Sequence, residues 1–165
     1  SGADDFNRIV RFFMLGHTGR FCYFVAKTIH MTYKIIDIEG IGPNYAAKLE
    51  EQGVHTTTDL LNVAGTKKGR QQLATATGIP ESLILTWVNH ADLCRINGIA
   101  GQFAELLEAA GVDTVKELAH RNAANLHQKL FETNEKFGLT GKIPSAEQLQ
   151  KMNDQAATLE PRVFH

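Results

Sequence analysis

The apolar positions of this chain follow a helical pattern that is interrupted at regular points. From about residue 31 onward, apolar residues recur at intervals of three and four, which is the spacing of one face of an α-helix. Each run is short and ends near a glycine or a proline, residues that commonly stop helices. The pattern predicts an all-α protein with helices at about residues 31–38, 43–52, 56–61, 67–77, 81–95, 102–110, 114–117, 123–137 and 145–159.

A twelve-residue stretch occurs twice. Ile38-Glu-Gly-Ile-Gly-Pro-Asn-Tyr-Ala-Ala-Lys-Leu49 is followed 58 residues later by Ile96-Asn-Gly-Ile-Ala-Gly-Gln-Phe-Ala-Glu-Leu-Leu107. The Gly-Ile-Gly step of the first copy lets the backbone adopt positive φ without a Cβ penalty, so two helices can meet in a tight turn. Later signals also recur: a stop glycine, a threonine cap and an Ile-Pro pair. They are Gly53 and Gly111, Thr56 and Thr114, and Ile79-Pro80 and Ile143-Pro144.

These signals predict two interlocked repeats of about five short helices each. The first repeat covers residues 31–95 and the second covers residues 81–165. The helix predicted at 81–95 belongs to both, because it runs directly into the second copy of the turn. A repeat of this size usually needs its neighbour to bury its apolar side, which favours one compact pair. Residues 1–30 are predicted to be an N-terminal helical extension.

The two turns are candidate phosphate-binding sites. Unpaired amides at a helix N-terminus, together with the helix dipole, favour an anion. Exposed lysine and arginine side chains nearby would add the positive charge that phosphate contacts require. The candidate residues are Gly40, Ile41, Gly42 and Asn44 in the first turn, Gly98, Ile99, Ala100, Gly101 and Gln102 in the second, and the basic residues Lys48, Lys67, Lys68 and Arg70.

A simpler interpretation of the same residues competes with this one. In it the turn is simply a compact way to join two helices, and the basic residues are an ordinary solvated surface. The second turn is the weaker candidate, because Ala100 replaces the second glycine and acidic residues surround it. Those acidic residues are Glu105, Glu108 and Asp113.

The first turn resembles a known DNA-binding motif. Gly40-Ile-Gly-Pro-x-x-Ala-x-x-Leu49 resembles the helix-hairpin-helix motif of DNA repair, recombination and replication proteins. From about Thr32 onward the chain resembles a bacterial family of unknown function built from tandem helix-hairpin-helix (SAM-like) repeats. The resemblance implies phosphate binding by the hairpin amides, with DNA or RNA as the partner. Its carriers are Tyr33-Lys-Ile-Ile-Asp-Ile-Glu-Gly-Ile-Gly42, Trp87-Val-Asn-His-Ala-Asp-Leu93, Leu107-Glu-Ala-Ala-Gly-Val-Asp-Thr-Val115 and Arg121-Asn-Ala-Ala-Asn-Leu-His127.

Composition limits where a polyanion can bind. The 165-residue chain is 43% apolar, which is enough for a core, and its net charge is −1. Residues 1–36 carry five Lys and Arg against two Asp, whereas the remainder carries twelve Lys and Arg against sixteen Asp and Glu. Any contact with nucleic acid must therefore be local.

The cysteines and the hydropathy pattern indicate a reduced, aqueous setting. Cys22 and Cys94 lie 72 positions apart and form neither a metal-binding spacing nor a disulfide framework. The chain has no run of 18 or more apolar residues, so the sequence predicts no membrane-spanning helix. We therefore expect a cytoplasmic protein.

The remaining candidates for chemistry point to structure instead of catalysis. Trp87 lies at helical spacing from Leu83 and Ile84, so we expect it in the core and not stacked on a base. Four histidines lack the spacing of metal ligands and are predicted to be polar surface or capping residues. Those histidines are His55, His90, His120 and His127. Because no nucleophile–base pair or cofactor motif is present, we predict no enzyme activity, no cofactor and no metal.

Residues 1–30 allow several interpretations. They combine aromatic residues with basic ones, and Gly16-His-Thr-Gly19 interrupts any single helix. Three interpretations compete: two amphipathic pieces that cover the repeats, a segment that binds a membrane surface or a partner, and an extension that precedes a natural start at Met31.

Two functions follow from the sequence as hypotheses. The first is a non-catalytic module that binds the backbone of nucleic acid, chiefly DNA, with little sequence preference. The alternative is a protein–protein adaptor in which the turns are structural. In that case residues 1–30 dock a partner protein or a second copy of the chain.

Overall fold

The structure, a computed structural model, describes residues 31–165, and all of its regular elements in that range are helices. A 3-10 turn at Ile35–Asp37 precedes eight α-helices in this range, which contains no strand. The prediction of an all-α fold is confirmed, while the predicted extension at 1–30 and Cys22 lie outside the described residues. The helices are α1 Pro43–Glu50, α2 Thr57–Ala64, α3 Lys67–Thr77, α4 Glu81–Leu93, α5 Gln102–Ala109, α6 Val115–Ala119, α7 Ala123–Phe137 and α8 Ala146–Ala157. None of these eight helices of residues 31–165 is both long and apolar enough to cross a membrane.

Side-chain caps set the starts of most helices. Five of them begin at a side-chain oxygen that accepts from the amide three residues later. At α2 the cap is reciprocal, because Asp59 also accepts from the Thr56 amide at 2.9 Å. The hydrogen bond from the Thr56 hydroxyl lowers the pKa of Asp59. At α6 the Glu117 carboxylate instead accepts from the amide of Asp113, at 3.0 Å, so the cap formed by Thr114 is not reciprocal. The capping residues are Thr56, Thr66, Thr114, Asn122 and Ser145.

The helix predicted at 31–38 is wrong except for its last turn. Lys34 is extended, with φ −66° and ψ 149°, and forms an isolated antiparallel bridge with Thr56. The amide of Ile35 donates to the carbonyl of His55 at 2.9 Å. The segment pairs with the start of α2 and so satisfies its backbone groups outside a helix.

The twelve-residue stretch forms the same turn hydrogen bond in both copies. The amide of Ile41 donates to the carbonyl of Ile38 at 3.1 Å, and the amide of Ile99 donates to the carbonyl of Ile96 at 3.2 Å. The ends of α1 and α5 also correspond. The amide of Val54 donates to the carbonyl of Leu49, and the amide of Val112 donates to the carbonyl of Leu107. Glycines with φ between 77° and 87° occupy equivalent places: Gly40 and Gly98, and Gly53 and Gly111.

The apolar side chains form two clusters that meet on α4. The first cluster extends from Ile35 to Ala91 and the second from Leu93 to Ala156. Trp87 belongs to the first cluster, is 1% exposed, and lies 5.2 Å from the ring of Tyr45 between centroids. The prediction that Trp87 is a core residue is confirmed. Because α4 supplies side chains to both clusters, it joins the two halves of the structure.

A buried ion pair fixes the end of α4 to two other segments. Asp92 is 1% exposed and accepts from the Arg95 guanidinium at 2.6 Å. Its second oxygen accepts from the amide of Val115, the first residue of α6, at 2.9 Å. Arg95 also donates to the carbonyl of Glu160 at 3.0 Å. Asp92 therefore neutralises a buried cation and caps a helix at the same time.

The C-terminal tail, residues 160–165, returns from α8 to the first cluster. The amide of Phe164 donates to the carbonyl of Gly65 at 2.8 Å, and Arg70 donates to the carbonyl of Phe164 at 3.0 Å. Val163 packs against the first cluster, whereas the Phe164 side chain is 54% exposed. The tail is therefore held by Val163 and by the backbone of Phe164, and the Phe164 ring remains accessible.

Candidate nucleic-acid interface

Turn 1, residues 40–44, is shaped by glycine and by the buried Ile41. Gly40 reverses the chain at φ 83°, and Ile41 is 5% exposed, which anchors the turn to the first cluster. A Cβ on Gly40 would also lie 3.4 Å from the indole nitrogen of Trp87. Gly42 then begins α1 in an extended conformation, with Pro43 as the first helical residue.

Turn 1 presents amides that no described residue accepts from. Gly42 has no side chain to cap α1, and no other side chain of residues 31–165 does so. The amides of Asn44 and Tyr45 therefore have no acceptor among the described residues. Unpaired amides at the first turn of a helix are suited to an anion. The Ile41 amide, however, is already donated to Ile38, so its predicted role as a phosphate donor is wrong.

Turn 2, residues 98–102, leads into a helix whose first amides are paired inside the protein. Gly101 precedes that helix with φ 49° and ψ −126°. The amide of Phe103 donates to the carbonyl of Ala100, and that of Ala104 to Gly101, both at 3.1 Å. Turn 2 is therefore a poorer anion site than turn 1.

The same correction applies to one predicted donor of turn 2. The Ile99 amide donates to the carbonyl of Ile96, so it is not available to a phosphate. Gln102 and Ala100 are exposed, and Gly98 is also exposed at the surface. A Cβ on Gly98 would lie 3.1 Å from the terminal methyl carbon of Met152. A side chain of α8 therefore packs next to Gly98 in turn 2, as a side chain of α4 packs next to Gly40 in turn 1.

The predicted basic residues do not form one surface. Lys48 is exposed on α1, the helix that begins at turn 1. Lys67 and Lys68 are exposed at the start of α3, next to the segment that binds the C-terminal tail. Arg70 is 2% exposed and donates to the carbonyls of Gly65 and Phe164. Arg70 is therefore a buried structural residue, and its predicted contact with phosphate is wrong.

Acidic groups dominate the helix that starts at turn 2. Glu108 accepts from the Nε2 position of His90 at 2.8 Å, and His90 is 3% exposed, so its predicted place on the surface is wrong. Burial, and then the carboxylates of Glu117 and Glu108, raise the pKa of Asp113. These carboxylates oppose the approach of a polyanion along α5.

Cys94 is expected to be unreactive in the folded protein. It is 4% exposed, and burial raises its pKa to about 11, although the Gly101 amide partly opposes that shift. At pH 8 roughly one thiol in a thousand is then a thiolate, the reactive form. We expect iodoacetamide to modify the Cys94 peptide only after denaturant is added, as measured by mass spectrometry. Rapid modification in native buffer would contradict this buried environment.

Among residues 31–165, no three His, Cys, Asp or Glu side chains come close enough together to hold a metal ion.

The comparisons with known proteins identify a family. The model of the domain of unknown function DUF4332 matches residues 39–159, so the chain belongs to that family. No curated protein and no solved structure matches the chain.

Proposed function

We propose that this member of the DUF4332 family is a non-catalytic module that binds the backbone of DNA through turn 1. One observation carries the proposal: α1 begins at a residue without a side chain, and the amides of Asn44 and Tyr45 have no described acceptor. Lys48 lies exposed on the same helix and supplies a nearby positive charge. A phosphate oxygen satisfies both the amides and the positive end of the helix dipole.

The recurrent hydrogen bonds support a tandem helix-hairpin-helix interpretation of the fold. Both copies of the stretch use the same turn bond, and both have one positive-φ glycine inside that turn and another after the following helix. In this proposal turn 1 retains the function of the hairpin, whereas turn 2 has become mainly structural. The amides of Phe103 and Ala104 in the first turn of α5 are donated inside the protein, whereas those of Asn44 and Tyr45 in the first turn of α1 are not.

Binding of this kind reads the backbone and not the bases. Amides and lysine side chains contact phosphates in any sequence, so little sequence preference is expected. The exposed carboxylates of Glu39 and Glu50 adjoin the same segment and limit the affinity. We therefore expect weak binding that falls steeply as salt rises.

A substitution at Gly42 tests turn 1 without weakening the fold. In Gly42→Asp the new carboxylate accepts from the Asn44 and Tyr45 amides, caps α1, and repels phosphate. Gly42 has φ −82°, and a Cβ there meets nothing within 4 Å, so the variant should fold. We expect its affinity for labelled duplex DNA to fall at least about tenfold, as measured by fluorescence anisotropy at about 50 mM and 200 mM salt.

Two controls separate the site from general charge. Lys151→Gln makes the same change in net charge at an exposed position on α8, and it should bind as the wild type does. Gly42→Asn caps the amides without adding a charge, so it should lose affinity, but less than Gly42→Asp. The proposal is wrong if the wild type binds no DNA at low salt, or if Gly42→Asp and Lys151→Gln behave alike.

Two exposed apolar side chains favour the adaptor hypothesis. Met31 and Ile36, at the point where residues 1–30 join the described part, are 43% and 46% exposed. Large exposed apolar side chains are consistent with a contact to another surface. In this second proposal the contact is with a partner protein or a second copy of the chain, and the two turns are structural.

A further inference from the structure

Two shallow grooves meet at His120 on the surface of the second half. The first lies between α6 and the C-terminal tail, and the second lies at the start of α7. Both are lined by basic side chains, and His120 lines both. We call the combined area the α6–α7 basic surface and define it by Lys116, His120, Arg121, Lys129, Arg162 and His165.

This surface is positive in a region whose overall charge is negative. Residues 31–165 carry thirteen Lys and Arg against sixteen Asp and Glu. The only carboxylates that line the first groove are Asp92 and Glu117, and the second groove has none among its lining residues. Asp92 is neutralised by Arg95, whereas Glu117 retains its charge. The Asp113 carboxylate lies near Arg121 and His165. Four Lys and Arg side chains face these two remaining carboxylates, so the surface is positive. The basic side chains are thus concentrated in one place.

Two cations of this surface are free to bind an anionic ligand. Lys116 and Lys129 are exposed and form no ion pair with any described residue. Arg121 donates from one nitrogen to the carbonyl of Gly111 at 2.6 Å, which holds its guanidinium at the groove. An anion with several charged groups can therefore be bound by side chains that are already in position.

An exposed aromatic ring lies in the same groove. Phe164 lines the groove between α6 and the tail, and its side chain is 54% exposed although its backbone is fixed at both the amide and the carbonyl. An aromatic face beside lysine and arginine side chains is the arrangement on which unpaired bases stack. A duplex keeps its bases stacked inside and cannot use such a ring in this way.

We propose that the α6–α7 basic surface binds single-stranded nucleic acid, with phosphates on Lys116 and Lys129 and a base on Phe164. The inference rests on the proposed function and deepens it by adding a contact in the second half of the chain. It also specifies that the ligand is single-stranded, because the Phe164 ring favours unpaired bases over a duplex. An acidic protein would use the same cations without needing the ring.

Two sets of variants test this site. We expect Phe164→Ala to weaken binding of a labelled single strand of about 20 nucleotides by about tenfold and to leave duplex binding nearly unchanged. We expect the pair Lys116→Gln and Lys129→Gln to weaken single-strand binding at least about fivefold and to reduce its salt slope by roughly 1.4. Anisotropy titrations at several salt concentrations measure both effects.

Matched controls exist for both sets. Phe137→Ala removes an equally exposed ring, at 54%, from the end of α7, and it should bind as the wild type does. The pair Lys142→Gln and Lys151→Gln makes the same charge change elsewhere. Equal losses for Phe164→Ala and Phe137→Ala would overturn the base contact. Competition by polyglutamate as strong as by oligothymidine would overturn the assignment to nucleic acid.

The outcomes also separate this site from turn 1. If Gly42→Asp has no effect while Phe164→Ala and the Lys116/Lys129 pair weaken binding, the α6–α7 basic surface is the site and turn 1 is not. If only Gly42→Asp weakens binding, the proposed function stands and this inference is wrong.

Discussion

Replacing Asp92 by alanine is expected to lower the free energy of unfolding by about 3–5 kcal/mol. The change leaves the guanidinium of Arg95, a residue that is 6% exposed, without its carboxylate partner. It also removes the acceptor of the Val115 amide at the start of α6. A buried charge without a partner retains its desolvation cost, and this is why the loss is large.

Urea denaturation followed by circular dichroism measures this effect, and a second ion pair provides the control. Glu147 and Lys151 form a pair at 3.2 Å on α8, with side chains 82% and 74% exposed. Glu147→Ala should change stability by no more than about 0.5 kcal/mol, because water screens an exposed pair.

A double-mutant cycle tests the coupling between Asp92 and Arg95. In an Arg95→Met background the further change Asp92→Ala should cost clearly less than it does alone, because no buried cation remains. Equal costs in both backgrounds would show that the two side chains do not act as a pair.

The helices were predictable because their signals are local. Caps such as Thr56 and Ser145 lie three residues from the amides they bind, and stop glycines such as Gly78 directly follow the last turn. A single sequence therefore contains both partners of each interaction within a few residues. The core position of Trp87 follows from helical periodicity in the same way.

The errors arise where the partner is distant in sequence. Arg70 was assigned to a phosphate site, yet its acceptor Phe164 lies 94 positions away. His90 was placed on the surface, but its partner Glu108 comes from the helix that follows turn 2. The segment at 31–38 pairs with the start of α2 and not with itself. No local pattern identifies such partners.

In the candidate site, too, the local features were predictable from the sequence and the contacts between distant residues were not. Glycine spacing correctly located both turns, but it could not show which amides the turns use internally. The difference between turn 1 and turn 2 depends on the conformation of Gly101 and on the amides of Phe103 and Ala104, which donate to the carbonyls of Ala100 and Gly101. The α6–α7 basic surface was not predicted, because the tail brings Arg162 and Phe164 to α6 from more than 40 positions away.

Gly69→Ala is expected to destabilise the fold even though it lies in a helix. Gly69 belongs to the first turn of α3, where alanine would normally be favoured over glycine by about 1 kcal/mol. Gly69 is buried, however, and a Cβ at this position would overlap the backbone carbonyl of Val63. It would also lie 3.3 Å from the Thr66 hydroxyl that caps α3.

A backbone carbonyl cannot move aside as a flexible side chain can, so α2 and α3 must separate to admit the methyl group. We expect Gly69→Ala to lower the free energy of unfolding by about 3 kcal/mol, measured by urea denaturation. Gly42→Ala is the matched control, because Gly42 has φ −82° and a Cβ there meets nothing within 4 Å. That variant should unfold at nearly the wild-type midpoint. A Gly69→Ala protein more stable than the wild type would show that helix propensity prevails and that α2 and α3 do not meet as closely as the structure places them.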